Sequence, residues 1–285
     1  MSPILRRAAP YWLSLPGITL FAVMLFIPLL MTAALSFYTF DFYRGIEPTF
    51  SLHNYIDIAT DSYFYEIFLR TLWYGLATTA LAVILGVPEA YILYRMRSRW
   101  RAIFLLAIIG PLLISVVVRT LGWAILLGNN GLVNQAMTSL GLPNISFIYT
   151  EFGVIVALTH VLVPFMIVSV WAALQKADFL TEKAAASLGA SQLTIFFRIV
   201  VPQAIPGILS GTLIVFSLAT SAFATPAIIG GRRLKVATTA IYDEFLNTLE
   251  WPLGAAIAMV LLAGILLIIV SYNRLIERRY AQVFQ

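Results

Sequence analysis

The feature that most constrains this chain is a set of six windows of roughly 20 apolar residues. A hydrocarbon core about 30 Å thick requires a helix of about that length, so each window predicts a membrane span. Mean hydropathy is +0.92 and only 11% of the residues are charged, which is too apolar for one soluble domain. The predicted fold is therefore all-α and polytopic, with one transmembrane domain over 1–285. The spans are expected near 12–37, 70–94, 102–127, 152–174, 205–229 and 253–272.

Basic residues are distributed unevenly between the two sides of this topology, and 12 of the 18 lysines and arginines fall on one side. Short cytoplasmic loops carry an excess of such residues, so both termini are expected in the cytoplasm. The first span exceeds the apolar core of a cleavable signal peptide and is interpreted as retained. Topology also explains the net charge of +5. Membrane lipid is therefore an expected partner, and nucleic acid is not.

Reactive groups are sparse. The chain has no cysteine and two separated histidines, and no G-x-x-x-x-G-K-[ST] phosphate-binding motif occurs. We therefore expect no catalytic residue, no metal site and no bound cofactor in this chain. His160, in an apolar span, is interpreted as a packing or hydrogen-bonding residue. Glu89, close to Arg95, is interpreted as a snorkelling or paired charge.

The segment between spans four and five, at 178–202, is more ordered than a linker requires. Asp178 or Thr181 is expected to cap a short helix, and Gly189 to end it in the left-handed conformation. Ser191 is expected to start the next turn. Leu180, Ala184 and Leu188 share one face at i, i+4, i+8 spacing, which gives a small helical knob. From the residues alone, an interfacial helix that only connects two spans fits equally well.

Two prolines follow the knob. Pro202 and Pro206 predict a change of chain direction before the fifth span.

The knob also resembles a known motif. "KAAASLG", followed ten residues after its glycine by "IVVP", resembles the cytoplasmic EAA loop of ATP-binding cassette (ABC) importer permeases. "PLLISVVVRTLGW", "LGASQLTIFFRIVVPQAIPGI" and "WPLGAA" extend the resemblance to the polyamine, opine and phosphonate importer group.

This resemblance implies a type I importer permease fold in the bacterial inner membrane, with the knob as the coupling helix that docks on a cytosolic ATPase. It further implies a second permease subunit, two ATPase subunits that bind ATP and Mg, and an external or periplasmic solute-binding protein. A related but different second permease is expected, although one sequence does not distinguish it from a homodimer. The implied coupling residues are Glu182, Lys183, Ala184, Ala185, Gly189, Ile199 and Pro202.

The sequence departs from the motif at Lys183, which stands where the family has its glutamate, with Glu182 one residue earlier. One residue turns a helix by about 100°, so Glu182 cannot occupy the same point. We hypothesise that Glu182 interacts with the helix dipole or meets a basic ATPase residue, and that Lys183 faces lipid phosphates or solvent. Two solvated helix charges are the alternative.

Residues of the translocation path are expected on spans three and five. Arg119 is a charge within a span, which is costly unless it faces a cavity, a partner or backbone carbonyls. Snorkelling, or pairing with the second permease, is the alternative for Arg119, and helix packing is the alternative for the residues on span five. The candidates are Arg119, Trp123, Phe216, Ser217, Thr220 and Phe223.

An outer gate or a contact for the binding protein is expected in "GGRRLKVATTAIYDEFLNTLEWP", where a short amphipathic helix would carry Tyr242, Phe245 and Leu249. A segment lying on the membrane surface is the alternative. The candidates for the gate are Arg232, Arg233, Tyr242, Asp243 and Glu244.

The sequence thus predicts the permease subunit of an ATP-driven importer for a small organic solute of the polyamine, opine or phosphonate class. An ion-coupled secondary carrier is the alternative and would show inverted repeats or intramembrane carboxylates. A membrane enzyme would need a reactive constellation that the sequence lacks.

Overall fold

The computed structural model describes residues 3–280; side chains are not described at 3–13, at 276–280, at Phe179 or at Arg232. The side chains of Arg6 and Arg7, on which part of the charge count depends, lie outside the described residues. In chain order the elements are α1 (Pro3–Leu35), β1 (Thr39–Asp41), β2 (Gly45–Glu47), α2 (His53–Thr60), α3 (Ser62–Arg95), α4 (Ser98–Ile109), α5 (Val116–Leu127), α6 (Leu132–Ser139), α7 (Glu151–Leu174), α8 (Phe179–Ser187), α9 (Gln192–Ile195), α10 (Val201–Thr220), α11 (Ala237–Leu246) and α12 (Trp251–Tyr280).

Within the described residues, six helical stretches are long and apolar enough to cross a membrane: Ser14–Leu35, Ser62–Arg95, Val116–Ser139, Glu151–Leu174, Gln192–Thr220 and Trp251–Leu275. The predicted number of spans is thus confirmed, and the third and fifth are displaced.

The third span is not the continuous helix expected at 102–127. Helix α4 ends at Ile109, a 3₁₀ turn occupies Gly110–Leu113, and α5 begins at Val116. Pro111 lies in the first turn of the 3₁₀ segment, where its missing N–H costs no hydrogen bond. The break therefore falls where the Gly-Pro pair indicated, and it divides the span.

The fifth span starts and ends earlier than the predicted 205–229. A π-helical segment, Phe196–Val200, joins α9 to α10, so the chain stays helical through both prolines, and the expected redirection is wrong. Pro202 lies in the first turn of α10, where no N–H is needed, and Pro206 lies inside it. After α10 ends at Thr220 the chain turns, and a second π-helical segment covers Pro226–Gly230.

The contacts divide the chain into two units. The first comprises the described parts of 1–65 and 240–263. In it, β1 and β2 form an antiparallel hairpin in which Phe40 pairs with Ile46. The side chain of Asn54, on α2, is buried. Its Nδ2 donates hydrogen bonds to the carbonyl oxygens of Ser36, at 3.0 Å, and Tyr38, at 2.9 Å, and so holds α2 against the residues that precede β1.

The second unit, 66–239 with the described part of 264–285, is built around α7. This helix is apolar on all sides and most of its residues are buried, as expected for a helix enclosed by other helices. Helix α10 packs closely against it because Gly207 and Gly211 of α10 face Ser169 and Met166 of α7. Helices α3 and α10 complete the core around α7.

Candidate coupling segment and intramembrane cavities

Helix α8 begins and ends where the sequence predicts. The Asp178 carboxylate accepts a hydrogen bond from the Leu180 N–H at 2.9 Å. Gly189 has φ +83°, and the N–H groups of Gly189 and Ala190 donate to the carbonyls of Ala186, at 3.0 Å, and Ala185, at 3.1 Å. This pair of bonds is a Schellman motif. Two capped ends therefore define α8 as a separate short helix rather than a frayed connection.

The next turn also starts as expected. The Ser191 hydroxyl accepts a hydrogen bond from the Thr194 N–H at 3.2 Å and so caps α9.

One face of α8 has no cover from the described part of the chain. Leu180 is 67% exposed, Leu188 is 89% exposed, and Ala184 between them is exposed. Ala185, one position further round the helix, is half-buried. The knob thus presents a shallow apolar surface, called here the knob face (Leu180, Ala184, Leu188), of the kind that marks a protein or membrane contact.

The opposite side of α8 is attached to α3 through Glu182. Its side chain is only 6% exposed and accepts a hydrogen bond from the Tyr91 hydroxyl at 2.9 Å. Arg95 donates to the Tyr91 oxygen at 2.9 Å and to Gln192 Oε1 at 3.2 Å. Glu182 lies in the first turn of α8, as the helix-dipole hypothesis requires. Because its carboxylate faces α3 of the same chain, the hypothesis that it meets an ATPase residue does not fit this geometry.

The other coupling candidates divide into two groups. Lys183 is exposed beside the knob face, at the end of α8 where Leu180 lies. Ile199 is half-buried in the π-helical segment, and Pro202 is exposed in the first turn of α10, so both belong to the helix that follows the knob. The role of the whole set in coupling stays a prediction.

Arg119 lines a cavity of about 320 Å³ between α5, α7 and the turn after α10. Its Nε and Nη1 atoms are buried and have no hydrogen-bond partner among the described residues. Phe223 and Ser221 line the same cavity. Two of the path candidates, Arg119 and Phe223, are thus brought together in one cavity lining.

Trp123 lines a second, larger cavity of about 530 Å³. Its indole Nε1–H donates to Nδ1 of His160 at 3.1 Å, so the prediction that His160 is a hydrogen-bonding residue is confirmed. Glu89 also lines this cavity. Of its two interpretations, pairing with Arg95 is wrong because Arg95 binds Tyr91 and Gln192 instead, and snorkelling stays a prediction. Sequence spacing does not connect Glu89, Trp123 and His160, because α3, α5 and α7 meet only through tertiary packing.

The remaining path candidates lie in helix contacts. A side-chain carbon added to Gly75 of α3 would come within 2.5 Å of Thr220 and 3.1 Å of Phe216, so these two residues pack closely against α3. The Ser217 hydroxyl donates to the Leu213 carbonyl at 2.7 Å. None of the three lines either cavity described above, which favours the helix-packing alternative for them.

The outer-gate candidates occupy two places. Arg233 is exposed in a short 3₁₀ turn, whereas the side chain of Arg232 lies outside the described residues. Tyr242, Asp243 and Glu244 lie on α11, which confirms the predicted helix.

Helix α11 ends at Leu246, before Leu249, the last residue of its predicted apolar face. Leu249 falls beyond its end and has φ +62°, so it does not continue the face of Tyr242 and Phe245. Glu244 accepts a hydrogen bond from the Thr248 hydroxyl at 2.6 Å. A gating role for these residues stays a prediction.

These helices define a polytopic membrane protein with a separate capped helix between its fourth and fifth spans. No protein-family model matches the chain. Among curated proteins, it is 32% identical over 248 residues to the spermidine/putrescine transport system permease protein PotB of Escherichia coli K12, with 86% of this chain and 90% of PotB covered. It is 29% identical over 298 residues to the E. coli inner membrane ABC transporter permease protein YdcU, with 96% and 95% covered.

Among solved structures, a bacterial alginate ABC transporter crystallised with its alginate-bound periplasmic protein matches 97% of this chain and 96% of its own, with a TM-score of 0.80 and 18% identity. The MetNI methionine ABC transporter matches 77% of this chain and 99% of its own, with a TM-score of 0.54 and 18% identity. The fold is thus that of an ABC transporter membrane subunit. The chain belongs to the family of ABC importer permeases that includes PotB. It is a multi-pass transport subunit and not an enzyme.

Proposed function

We propose that this chain forms one half of the membrane pathway of an ABC importer for an aliphatic polyamine, and that α8 is the helix through which a cytosolic ATPase drives it. The polyamine class is supported by PotB, a relative named for spermidine and putrescine transport. Neither PotB nor YdcU is named for an opine or a phosphonate, the two other solute classes that the sequence left open.

The observation that carries this proposal is the two-sided structure of α8. Glu182 attaches one side to α3, while the knob face on the other side is open. A helix that is attached rigidly to a membrane span transmits movement of a docked ATPase to that span as a rigid-body movement, whereas a flexible loop would absorb it. Because α9 and α10 follow after a turn of only four residues, Leu188–Ser191, movement of α8 would pass into the fifth span.

The complete importer would contain a related second permease, two ATPase subunits and a periplasmic solute-binding protein. ATP and Mg would be bound on the ATPase subunits. Both termini and α8 would lie in the cytoplasm, as the excess of basic residues on that side indicates. The binding protein would deliver the solute from the other side, near the candidates Arg233 and Tyr242.

The test is assembly and uptake with a charged substitution on the knob face. The full importer is reconstituted in proteoliposomes with Leu188→Asp, and with Leu246→Asp as the matched control, since Leu246 is 59% exposed at the end of α11. We expect Leu188→Asp to lose ATPase capture and ATP-driven spermidine uptake together, and the control to keep ATPase capture. Uptake by the wild type without any ATPase would instead establish a secondary carrier.

A further inference from the structure

The 530 Å³ cavity of the second unit is walled mainly by apolar side chains and contains one carboxylate. Leu81, Leu85 and Glu89 come from α3, Ala107 and Ile108 from α4, and Val163 from α7. Its lining along α7 runs from Phe152 to Ile167, which is about 22 Å of helix at 1.5 Å per residue. The cavity is therefore long enough for an extended aliphatic chain.

Glu89 stands apart from the other acidic residues of the spans. Glu66 and Glu151 both pair with Arg70. Within the described residues the carboxylate of Glu89 has no ion pair and no hydrogen bond, and Arg95 is engaged elsewhere. It lies six residues, or about 9 Å of helix rise, inside the end of α3. Glu89 is exposed in the described chain and lines the cavity, so its carboxylate is open to a ligand that enters there. A carboxylate within a membrane span is stabilised when a cation accompanies it.

Trp123 and His160 add two further properties to the cavity. Because Nδ1 of His160 accepts the indole N–H of Trp123, this hydrogen bond favours the neutral imidazole, which adds no positive charge. The two rings meet edge to face, with centroids 5.3 Å apart. The indole face offers a surface that attracts a cation, and the remaining wall is aliphatic.

We propose that this cavity is a binding site for a protonated alkylamine, with Glu89 as the partner of one ammonium group and Trp123, oriented by His160, beside the chain or a second ammonium. The combination of one carboxylate, one indole and aliphatic walls fits a di- or triamine better than an anionic solute, which Glu89 would repel. Arg119 is close enough to His160 to interact with it electrostatically, but it lines the neighbouring cavity and not this one. The inference rests on the proposed function, since it names the residues that receive the solute of the same pathway.

The direct test uses the full chain in nanodiscs of phosphatidylcholine, which carries no net charge to bind amines. Binding of radiolabelled spermidine is measured by equilibrium dialysis, with putrescine and butane-1,4-diol as competitors. We expect putrescine to compete and the neutral diol not to compete. Glu89→Gln should weaken binding roughly tenfold or more, as expected for loss of a charged partner. The matched control, Glu66→Gln, removes a carboxylate that is 66% exposed and lies outside the cavity, and should leave binding unchanged.

Glu89→Asp and Trp123→Phe distinguish binding from a structural role. Glu89→Asp should restore part of the affinity because it keeps the charge. Trp123→Phe keeps a ring where Trp123 packs against the core but attracts a cation less strongly, so it should weaken binding by less than Glu89→Gln does. Equal binding by the wild type and Glu89→Gln, or competition by the diol, would overturn the site.

The full importer separates this inference from the proposed function. If the wild type takes up spermidine with ATP and Glu89→Gln does so equally well, the cavity is not the amine site although the importer assignment stands. If the wild type shows no ATP-driven uptake but the nanodisc chain binds amines through Glu89, the site stands and the importer assignment fails.

Discussion

The Tyr91 hydroxyl on α3 donates a hydrogen bond to the Glu182 carboxylate on α8, with an oxygen–oxygen distance of 2.9 Å. The two residues are 91 positions apart in the chain, and Glu182 is almost fully buried. Arg95 donates a hydrogen bond to the oxygen of the same hydroxyl, and its guanidinium carbon lies 5.6 Å from the centroid of the Tyr91 ring. A short helix with few apolar contacts of its own is thereby fixed to the second span.

Removing this hydroxyl should loosen α8. Tyr91→Phe retains the ring, which packs against Phe196 at 5.5 Å, but leaves a buried carboxylate without its donor. Such a loss costs about 1–3 kcal/mol, so we expect a lower thermal midpoint and reduced coupling of ATP hydrolysis to uptake. Tyr43→Phe is the control because Tyr43 is 94% exposed. Equal behaviour of the two variants would show that the hydrogen bond does not hold α8.

Reversing the charge of Lys183 should weaken ATPase binding. Lys183 is exposed beside the knob face, where the ATPase is proposed to dock, whereas Glu182 is turned away from it. Exposed charge pairs contribute up to about 1 kcal/mol, so Lys183→Glu should raise the Kd for the ATPase by about fivefold at low salt. The effect should disappear at high ionic strength, because salt screens exposed charges. Tighter binding by Lys183→Glu would mean that the ATPase presents a basic residue there.

A methyl group on Gly207 should separate α10 from α7. Its added carbon would lie 2.6 Å from the Ser169 carbonyl oxygen and 2.7 Å from the Val170 Cα. Both are backbone atoms, so the two helices would have to shift apart to accept it. We expect Gly207→Ala to cost about 1–3 kcal/mol, measured as a lower thermal midpoint in detergent.

The control for this packing effect is Gly122→Ala in α5, where a side-chain carbon meets nothing within 4 Å. Alanine is a better helix former than glycine, so this variant should be neutral or stabilising. If both variants lower the midpoint alike, close packing of α7 and α10 is not the cause.

The stability of the first unit should depend on pH through Glu250, which precedes α12. Burial, and then the nearby Glu244 and Asp57, raise its pKa above the ordinary 4.5, and His53 opposes them. The folded protein therefore holds this proton more tightly than the unfolded chain, and stability falls as pH rises from about 4.5 through the raised pKa. Glu250→Gln should remove this loss.

The measurement is the thermal midpoint of Glu250→Gln and wild type between pH 4 and pH 8. At pH values above the raised pKa of Glu250 the variant should have a higher thermal midpoint than the wild type, and at pH 4 it should not. A constant difference at all pH values would contradict an electrostatic cause.

Local sequence determined the features that depend on neighbouring residues. Six apolar windows require six spans because lipid offers no partner for exposed backbone groups. The helix α8 and its stop at Gly189 follow from a capping aspartate and a glycine that reaches positive φ without steric cost. The break at Gly110-Pro111 follows in the same way from the missing proline N–H.

The tertiary structure decided what lies between elements that are far apart in the chain. The prolines 202 and 206 predicted a turn, but the π-helical segment before them and the packing of α10 on α7 keep the chain helical. Glu182 and Glu89 look like similar helix charges in sequence. The packing of α3 against α8 gives Glu182 a hydrogen bond from a tyrosine. The meeting of α3, α5 and α7 instead places Glu89 in a cavity, without a hydrogen-bond partner among the described residues. The difference arises because side-chain partners across helices are set by three-dimensional contact and not by sequence spacing.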